Sequence, residues 1–464
     1  MILSAPELLV LSAIVSLMAF ECWLALRSRS WVQVYRPTLF VAVILAFYVL
    51  VGPLRAILSA GEAANFIGTS GTIYRNLEHR PFLIWGWLGA LVFYACLLIG
   101  FHGFRFKFKP QRLIAKTNLV QINRLGQLMC LAGFLPYLLT NGGFLLNRIN
   151  PFSVATSAFP FLDWQGVNAG LFENYFVLAI NLLIPGIVMQ FAVWLRRRRQ
   201  LWVVLLWLLI AMMIFISEAF RYRILLIAIP LLLLWFFYCK RRPMLVMLLV
   251  FMIAFVGING AIGVARITTK TMRGLDLDQV TSRTPVELFM ATFEESGIFF
   301  TTSALIQAVP SRYPYIGLEP LLTAIAQPIP RAIFASKPSG SYPSEVPDQI
   351  YSGGEWKSHT AFLAYGEYYF MFGWPSVVIC SLILGATLKW LWTWFLWRQY
   401  EPLAQSCYLL SASFLFVVVS RGYLAQVSML YGVTVFPLFV VYWLVSRSGK
   451  HMQGVERSEM ITSN

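Results

Sequence analysis

Several arginines stand where the chemistry of phosphate groups would use them. "EAFRYRIL" carries Arg221 and Arg223 between two apolar runs, "VVVSRGYL" carries Arg421 between the last two, and "GVAR" closes another run at Arg266. "IPRAIFASKP" adds Arg331 and Lys337 on a loop stiffened by prolines. A guanidinium is a planar fork that grips phosphate oxygens through paired N–H donors, and lysine has no such fork. Several cations together can stabilise the charge that builds on a departing diphosphate. Arginine at the edge of an apolar segment is a functional signal by default. The plainer alternative is a carboxylate partner, such as Glu218 three residues before Arg221, or a side chain snorkelling to headgroups. The groups able to take a proton from a hydroxyl lie close by in sequence: Glu294, Glu295, His359 and Glu367. For Glu367 the alternative is a favourable charge at a helix N-terminus, and for His359 a solvated loop side chain. These loops hold no carboxylate or histidine cluster at ligand spacing, so the chemistry is expected to need no metal and no cofactor.

The elements that must position these residues are apolar helices. Of 464 residues, 59% are hydrophobic and 12% charged, and the mean hydropathy is +0.70. Repeated apolar runs of about 18 residues or more are membrane helices. The fold class is therefore an all-α polytopic membrane protein, and a soluble enzyme is excluded. The net charge of +16 is read as loop charge that sets orientation, not as a nucleic-acid surface. The six cysteines fall in or beside apolar runs without metal-ligand spacing and read as small buried hydrophobes.

About eleven spans follow, near 5–26, 37–58, 81–101, 125–140, 173–195, 201–220, 224–239, 244–265, 371–396, 402–420 and 424–445. The sixth and seventh are separated only by "RYR", which implies one long broken hairpin. The first lacks a basic region before it and reads as a retained span, not a cleaved signal. Alternate loops are basic: Arg27 to Arg36, Arg105 to Arg124, Arg196 to Arg199, Lys240 to Arg242, Lys389 with Arg398, and the tail from Arg447. They hold 21 Lys and Arg against 7 in the short loops of the other side. The positive-inside rule then puts the N-terminus outside and the C-terminus in the cytoplasm.

The chain divides into a bundle of eight spans (1–265), a large outer cap (266–370), three further spans (371–445) and a polar tail (446–464). A connection of this length is uncommon unless it has a task, and its aromatic and branched residues are what disordered segments lack. Leu318, Leu321, Leu322 and Ile325 form a helical stripe, and Val286, Phe289, Phe293, Phe300 and Ala304 a less regular one. Both suit amphipathic helices on the bilayer surface or against the bundle.

On these residues the chain resembles the Wzy-type O-antigen and oligosaccharide repeat-unit polymerases, polytopic membrane proteins of bacteria. "FRYRILL" resembles their arginine-bearing outer turn, and "IPRAIFASKP" their Pro-Arg…Lys-Pro loop. "GEYYFMFGWPSVV" resembles their Gly-Glu-x-Tyr…Phe-Gly entry to the next span, and "SRGYL" a late arginine turn. Where a serine usually precedes the first arginine, Phe220 stands here, so either Arg221 or Arg223 is the equivalent residue. The resemblance implies a GT-C-like bundle and a metal-independent glycosyltransferase in the bacterial plasma (inner) membrane. Its substrate would be undecaprenyl-diphosphate-linked oligosaccharide, polymerised on the outer face for lipopolysaccharide or exopolysaccharide. Arg221, Arg223, Arg266, Arg331, Lys337 and Arg421 would hold the diphosphate, and Glu295, His359 or Glu367 would serve catalysis. Implied partners are membrane lipid, a flippase and a chain-length regulator.

An O-antigen ligase shares this chemistry and topology. A polyprenyl-monophosphate glycosyltransferase needs paired acids in the first outer loop, where only the distant Glu62 and Glu78 stand. A transporter of polysaccharide or lipid would spread polar residues through its spans, yet these are nearly free of charge, with Glu21 and Glu218 among their few acids.

Overall fold

A computed structural model of the chain describes residues 3–28, 30–51, 53, 83–108, 119–141, 178–217, 221–240, 297–330, 333–334, 336–338, 342 and 362–446. Among the described residues all regular structure is helical. The first helix, α1 (Ala5–Arg27), starts where the Glu7 carboxylate accepts the Ser4 N–H at 2.7 Å, one half of a capping box. A 3-10 turn (Trp31–Tyr35) leads to α2 (Pro37–Leu45), which continues as a π-helical turn to Val51. Then come α3 (Leu83–Gly103), α4 (Leu119–Asn141), α5 (Leu183–Arg197), α6 (Leu201–Ser217) and α7 (Arg221–Tyr238). Three shorter helices follow, α8 (Ile298–Ala308), α9 (Glu319–Ala326) and α10 (Ala364–Phe372). The last are α11 (Trp374–Arg398), α12 (Pro402–Ser420) and α13 (Leu424–Thr434), whose apolar course runs on to Ser446. Five of these helices are long and apolar enough to cross a membrane: α1, α3, α11, α12 and the segment from Leu424 to Ser446. Their outward faces carry large apolar side chains such as Leu9, Trp23, Ile99, Ile383 and Phe436. Such a girdle is the surface of a multi-pass membrane protein.

Close helix approach explains the spine of the bundle. α3 and α11 run parallel, with Trp85 facing Trp374 near one end and Phe108 facing Trp390 beyond the other. A Cβ on Gly100 would lie 2.4 Å from the Leu382 carbonyl oxygen, and one on Gly385 only 2.1 Å from that of Leu97. Both glycines are needed for backbones to meet so closely, the usual device between apolar helices. α4 packs antiparallel on α5, where Gly133 faces Leu182 and Gly126 faces Gly186. α12 is the most buried of the five spans. Tyr408 stacks on Phe395 at 4.0 Å, and Phe237 of α7 meets the same Phe395 at 5.4 Å.

The basic ends of the helices gather at one end of the bundle. Buried Glu21 accepts from Thr38, lies 2.9 Å from His102 Nε2 and 3.6 Å from Arg36. Arg196 donates to the Tyr400 carbonyl at 2.7 Å, and Asn123 to Gln200 at 3.0 Å. Arg198 lies over the rings of Trp194, Trp235 and Tyr238.

Several boundaries differ from the sequence expectation. The fourth helix starts at Leu119 and passes through Pro136, so it is longer than 125–140. The ninth expected span begins at Trp374, because Gly373 (φ +72°) breaks the chain between α10 and α11. "RYR" is not a turn but the first turn of α7. Cys22 and Cys239 lie on the outer surface, whereas Cys130 and Cys407 are buried as expected. The expected eighth span, 244–265, lies outside the described residues, as do most of the cap and the tail beyond Ser446.

Candidate functional site

At the end of the bundle away from the basic cluster, three short helices and one interhelical turn close on Glu367. α8 reaches this place because α3 offers glycine there. A Cβ on Gly86 would lie 1.9 Å from Ser303 Oγ, so Ser303 occupies the missing side chain's space. Gly89 leaves room in the same way for the ring of Tyr365 of α10. Thr302 of α8 donates to the Ile298 carbonyl at 2.8 Å and accepts the Leu363 N–H at 2.8 Å. One hydroxyl therefore ties α8 to the start of α10. The last carbonyls of α10 are left without helical partners, and two of them accept N–H groups from the segment before α9: Ile316 to Phe370 at 3.0 Å and Gly317 to Met371 at 3.1 Å.

Glu367 lies in α10, outside the five candidate spans, and is only 2% exposed. Its Oε1 accepts the Tyr342 hydroxyl, and its two oxygens accept the Leu424 N–H at 2.9 and 3.1 Å. Leu424 is the first residue of α13, so the carboxylate sits at the positive end of that helix. Burial pushes the Glu367 carboxyl up from 4.5 to about 7, against the lowering effect of the Leu424 and Tyr342 hydrogen bonds. Burial together with the adjacent carboxylate raises the Tyr342 hydroxyl well above its ordinary range. Tyr342 packs edge-on against Tyr423 at 5.7 Å and Phe370 at 6.3 Å.

This contact fixes the turn between α12 and α13, which is "SRGYL". The Gly422 N–H donates to the Phe362 carbonyl at 2.6 Å, and a Cβ there would lie 2.7 Å from the Leu363 carbonyl oxygen. Arg421, half-buried, is held in that turn, its own N–H bonded to the Val417 carbonyl at 3.0 Å. α7 packs beside α12. Counted from the shared aromatic layer of Phe237, Phe395 and Tyr408, the first turn of α7 lies as far along as the Arg421 turn. At a rise of about 1.5 Å per residue the two arginine segments thus share one end of the bundle. Arg223 is buried there, its guanidinium 5.4 Å from the Phe215 ring and its Nε donating to Tyr222 Oη at 3.2 Å.

The other expected cations divide. Lys337 spends two donors on backbone carbonyls, Gln327 at 2.8 Å and Ile329 at 3.2 Å, and so closes the turn after α9. Arg221 opens α7. Arg266, Arg331, Glu294, Glu295 and His359 lie outside the described residues. Of the two expected stripes, Leu318, Leu321, Leu322 and Ile325 are exposed, while Thr323 and Ala326 are buried. Phe300 and Ala304 of the other are buried against the bundle. Among the described residues no three of His, Cys, Asp or Glu gather as a metal site.

Sequence reasoning missed Tyr342, Tyr423 and Thr302. The hydroxyl of Tyr342 meets a carboxylate 25 residues away, and Leu424 meets the same group from 57 residues away. No periodic pattern marks either pairing. No family of known proteins, curated relative or solved structure matches this chain.

Proposed function

We propose that the chain polymerises undecaprenyl-diphosphate-linked oligosaccharide repeat units on the outer face of a bacterial plasma membrane. On this reading it is a metal-independent glycosyltransferase. The growing glycan would leave its lipid diphosphate as the acceptor sugar hydroxyl of an incoming lipid-linked unit attacks the anomeric carbon. The observation that carries the reading is the Arg421 turn, clamped through Gly422 and Leu424 onto α10 at the end away from the basic cluster. Arginine at that end works against the insertion bias, and rigid support of a cation is what preorganised charge stabilisation requires. Arg223 at the start of the adjacent helix is the second cation of the same end. By the positive-inside rule the basic cluster would face the cytoplasm and Glu367 the outside.

Glu367 takes a positioning role in this reading. Its oxygens are already occupied by Tyr342 and Leu424, and its burial leaves little room for a sugar hydroxyl. The proton acceptor then falls to Glu294, Glu295 or His359. Arg266 and Arg331 remain proposed diphosphate ligands, with Arg221, while Lys337 serves the fold of the loop.

The test is a membrane assay with synthetic lipid-diphosphate repeat units. A ladder of polymer that persists in excess chelator is expected. Absence of a ladder, with transfer to a lipid A acceptor instead, would assign a ligase. Flipping of the lipid without any glycan transfer would assign a transporter.

A further inference from the structure

A second surface lies at the other end of the bundle. Past Gly103 the chain leaves α3 as a non-helical segment, "FRFKF", in which aromatic and basic residues alternate. Phe104 and Phe106 stack at 6.4 Å, and Phe108 packs on Trp390 of α11 at 6.2 Å. Arg105 and Lys107 between them are exposed. The aromatic face and α11 enclose an almost wholly apolar groove of about 380 Å³, lined by Phe104, Phe106, Ile383, Ala386, Thr387 and Trp390. Ile383 and Trp390 are exposed on the outward, membrane-facing side of α11.

The charge beside this groove is unbalanced. Lys389 adjoins Trp390, its ammonium 4.9 Å from the Phe101 ring. Arg105 and Arg36 lie near enough to Lys389 to repel it, and Glu21 alone attracts it among the described residues. The closest described carboxylate, Glu21, is buried and committed to Thr38, His102 and Arg36. No ion pair joins Arg105, Lys107 or Lys389 to a carboxylate among the described residues. An apolar slot open to the bilayer, with cations in excess at its water end, matches one kind of molecule. That molecule has an acyl chain and a net negative headgroup.

We propose that this groove binds an anionic phospholipid, with an acyl chain along Ile383, Ala386 and Trp390 and the phosphate among Arg105, Lys107 and Lys389. Cationic pockets next to the ends of membrane helices bind such headgroups. The site is independent of the glycan chemistry at the opposite end and stands or falls without it.

The experiment uses the full chain in nonionic detergent, titrated with phosphatidylglycerol or phosphatidylcholine carrying brominated acyl chains. The fluorescence of Trp390, taken as wild type minus Trp390→Phe, reports bromine in the groove. Phosphatidylglycerol should quench it at about tenfold lower mole fraction than phosphatidylcholine, and salt should narrow the difference. Arg105→Gln with Lys107→Gln changes only exposed side chains and should erase most of the preference. Adding Lys389→Gln should erase the rest. Equal quenching by the two lipids, absence of quenching, or a preference left undiminished by the double substitution would overturn the assignment.

Discussion

Replacing Glu367 by Gln and by Ala separates the roles open to a buried acid. Burial raises this carboxyl from 4.5 to about 7. In that interval the folded chain holds a proton that the unfolded chain has lost. Stability is therefore full below about pH 4.5 and falls as pH rises to about 7. With each pKa unit worth about 1.4 kcal/mol, the loss is roughly 3 kcal/mol, then level at higher pH. Glu367→Gln keeps an oxygen in place for both Tyr342 and Leu424 but cannot titrate. Glu367→Ala strands the Tyr342 O–H and the Leu424 N–H, at about 1–3 kcal/mol for each buried donor.

The assay is thermal unfolding of the purified full chain, followed by tryptophan fluorescence between pH 4.5 and 8. The wild type should lose several degrees across this range, and the Gln variant should be flat. The Ala variant should unfold at lower temperature throughout. A pH slope that survives in the Gln variant would assign the titration to another group and refute the reasoning. Polymer formation adds the second discrimination. A positioning Glu367 leaves the Gln variant active, whereas a loss of a hundredfold or more at unchanged stability returns Glu367 to proton transfer.

Arg421→Lys and Arg223→Lys keep the charge and lose the fork, so each should lower polymerisation by about a hundredfold, nearly as much as Ala. Arg148, in an expected outer loop away from these turns, gives the control Arg148→Lys, and full activity in both Lys variants would make these arginines headgroup anchors. Gly385→Leu drives a side chain into the Leu97 carbonyl of α3 and should abolish folded protein in the membrane, read as loss of the monodisperse peak on size exclusion. Reporter fusions after Arg199 and Arg242 should report cytoplasm, and fusions within 266–360 outside; an inside signal from the latter would sink the proposed function. An environment-sensitive dye on Ile325→Cys or Ile333→Cys, both 74% exposed, should emit as in lipid, and a water-like spectrum would separate α9 from the bilayer surface.

The helical class was legible because apolar runs of span length admit no other backbone. A helix satisfies its own N–H and C=O groups, which lipid cannot do. The Arg421 turn was legible too, since a charged residue and a glycine interrupt two such runs. The break at Gly373 had a signal that went unused. In "FGWP" a glycine with positive φ precedes a proline in the first turn of α11, the usual stop and start of successive helices. Hydropathy alone ran across it and set the start of the span at 371, three residues before Trp374.

The junction at Glu367 was beyond such reading for a different reason. An acid in the first turn of a helix stabilises that helix whatever else it does, so its position in α10 carried no further information. What gives it a second role is the arrival of another helix start, at Leu424, against the same carboxylate. That meeting depends on Gly422 lying against Phe362 and Leu363, and on the Thr302 hydroxyl holding Leu363 in place. Each of these contacts joins residues far apart in sequence through a single hydrogen bond or a missing side chain. Local pattern therefore locates the arginine, and tertiary structure alone explains why it is held still.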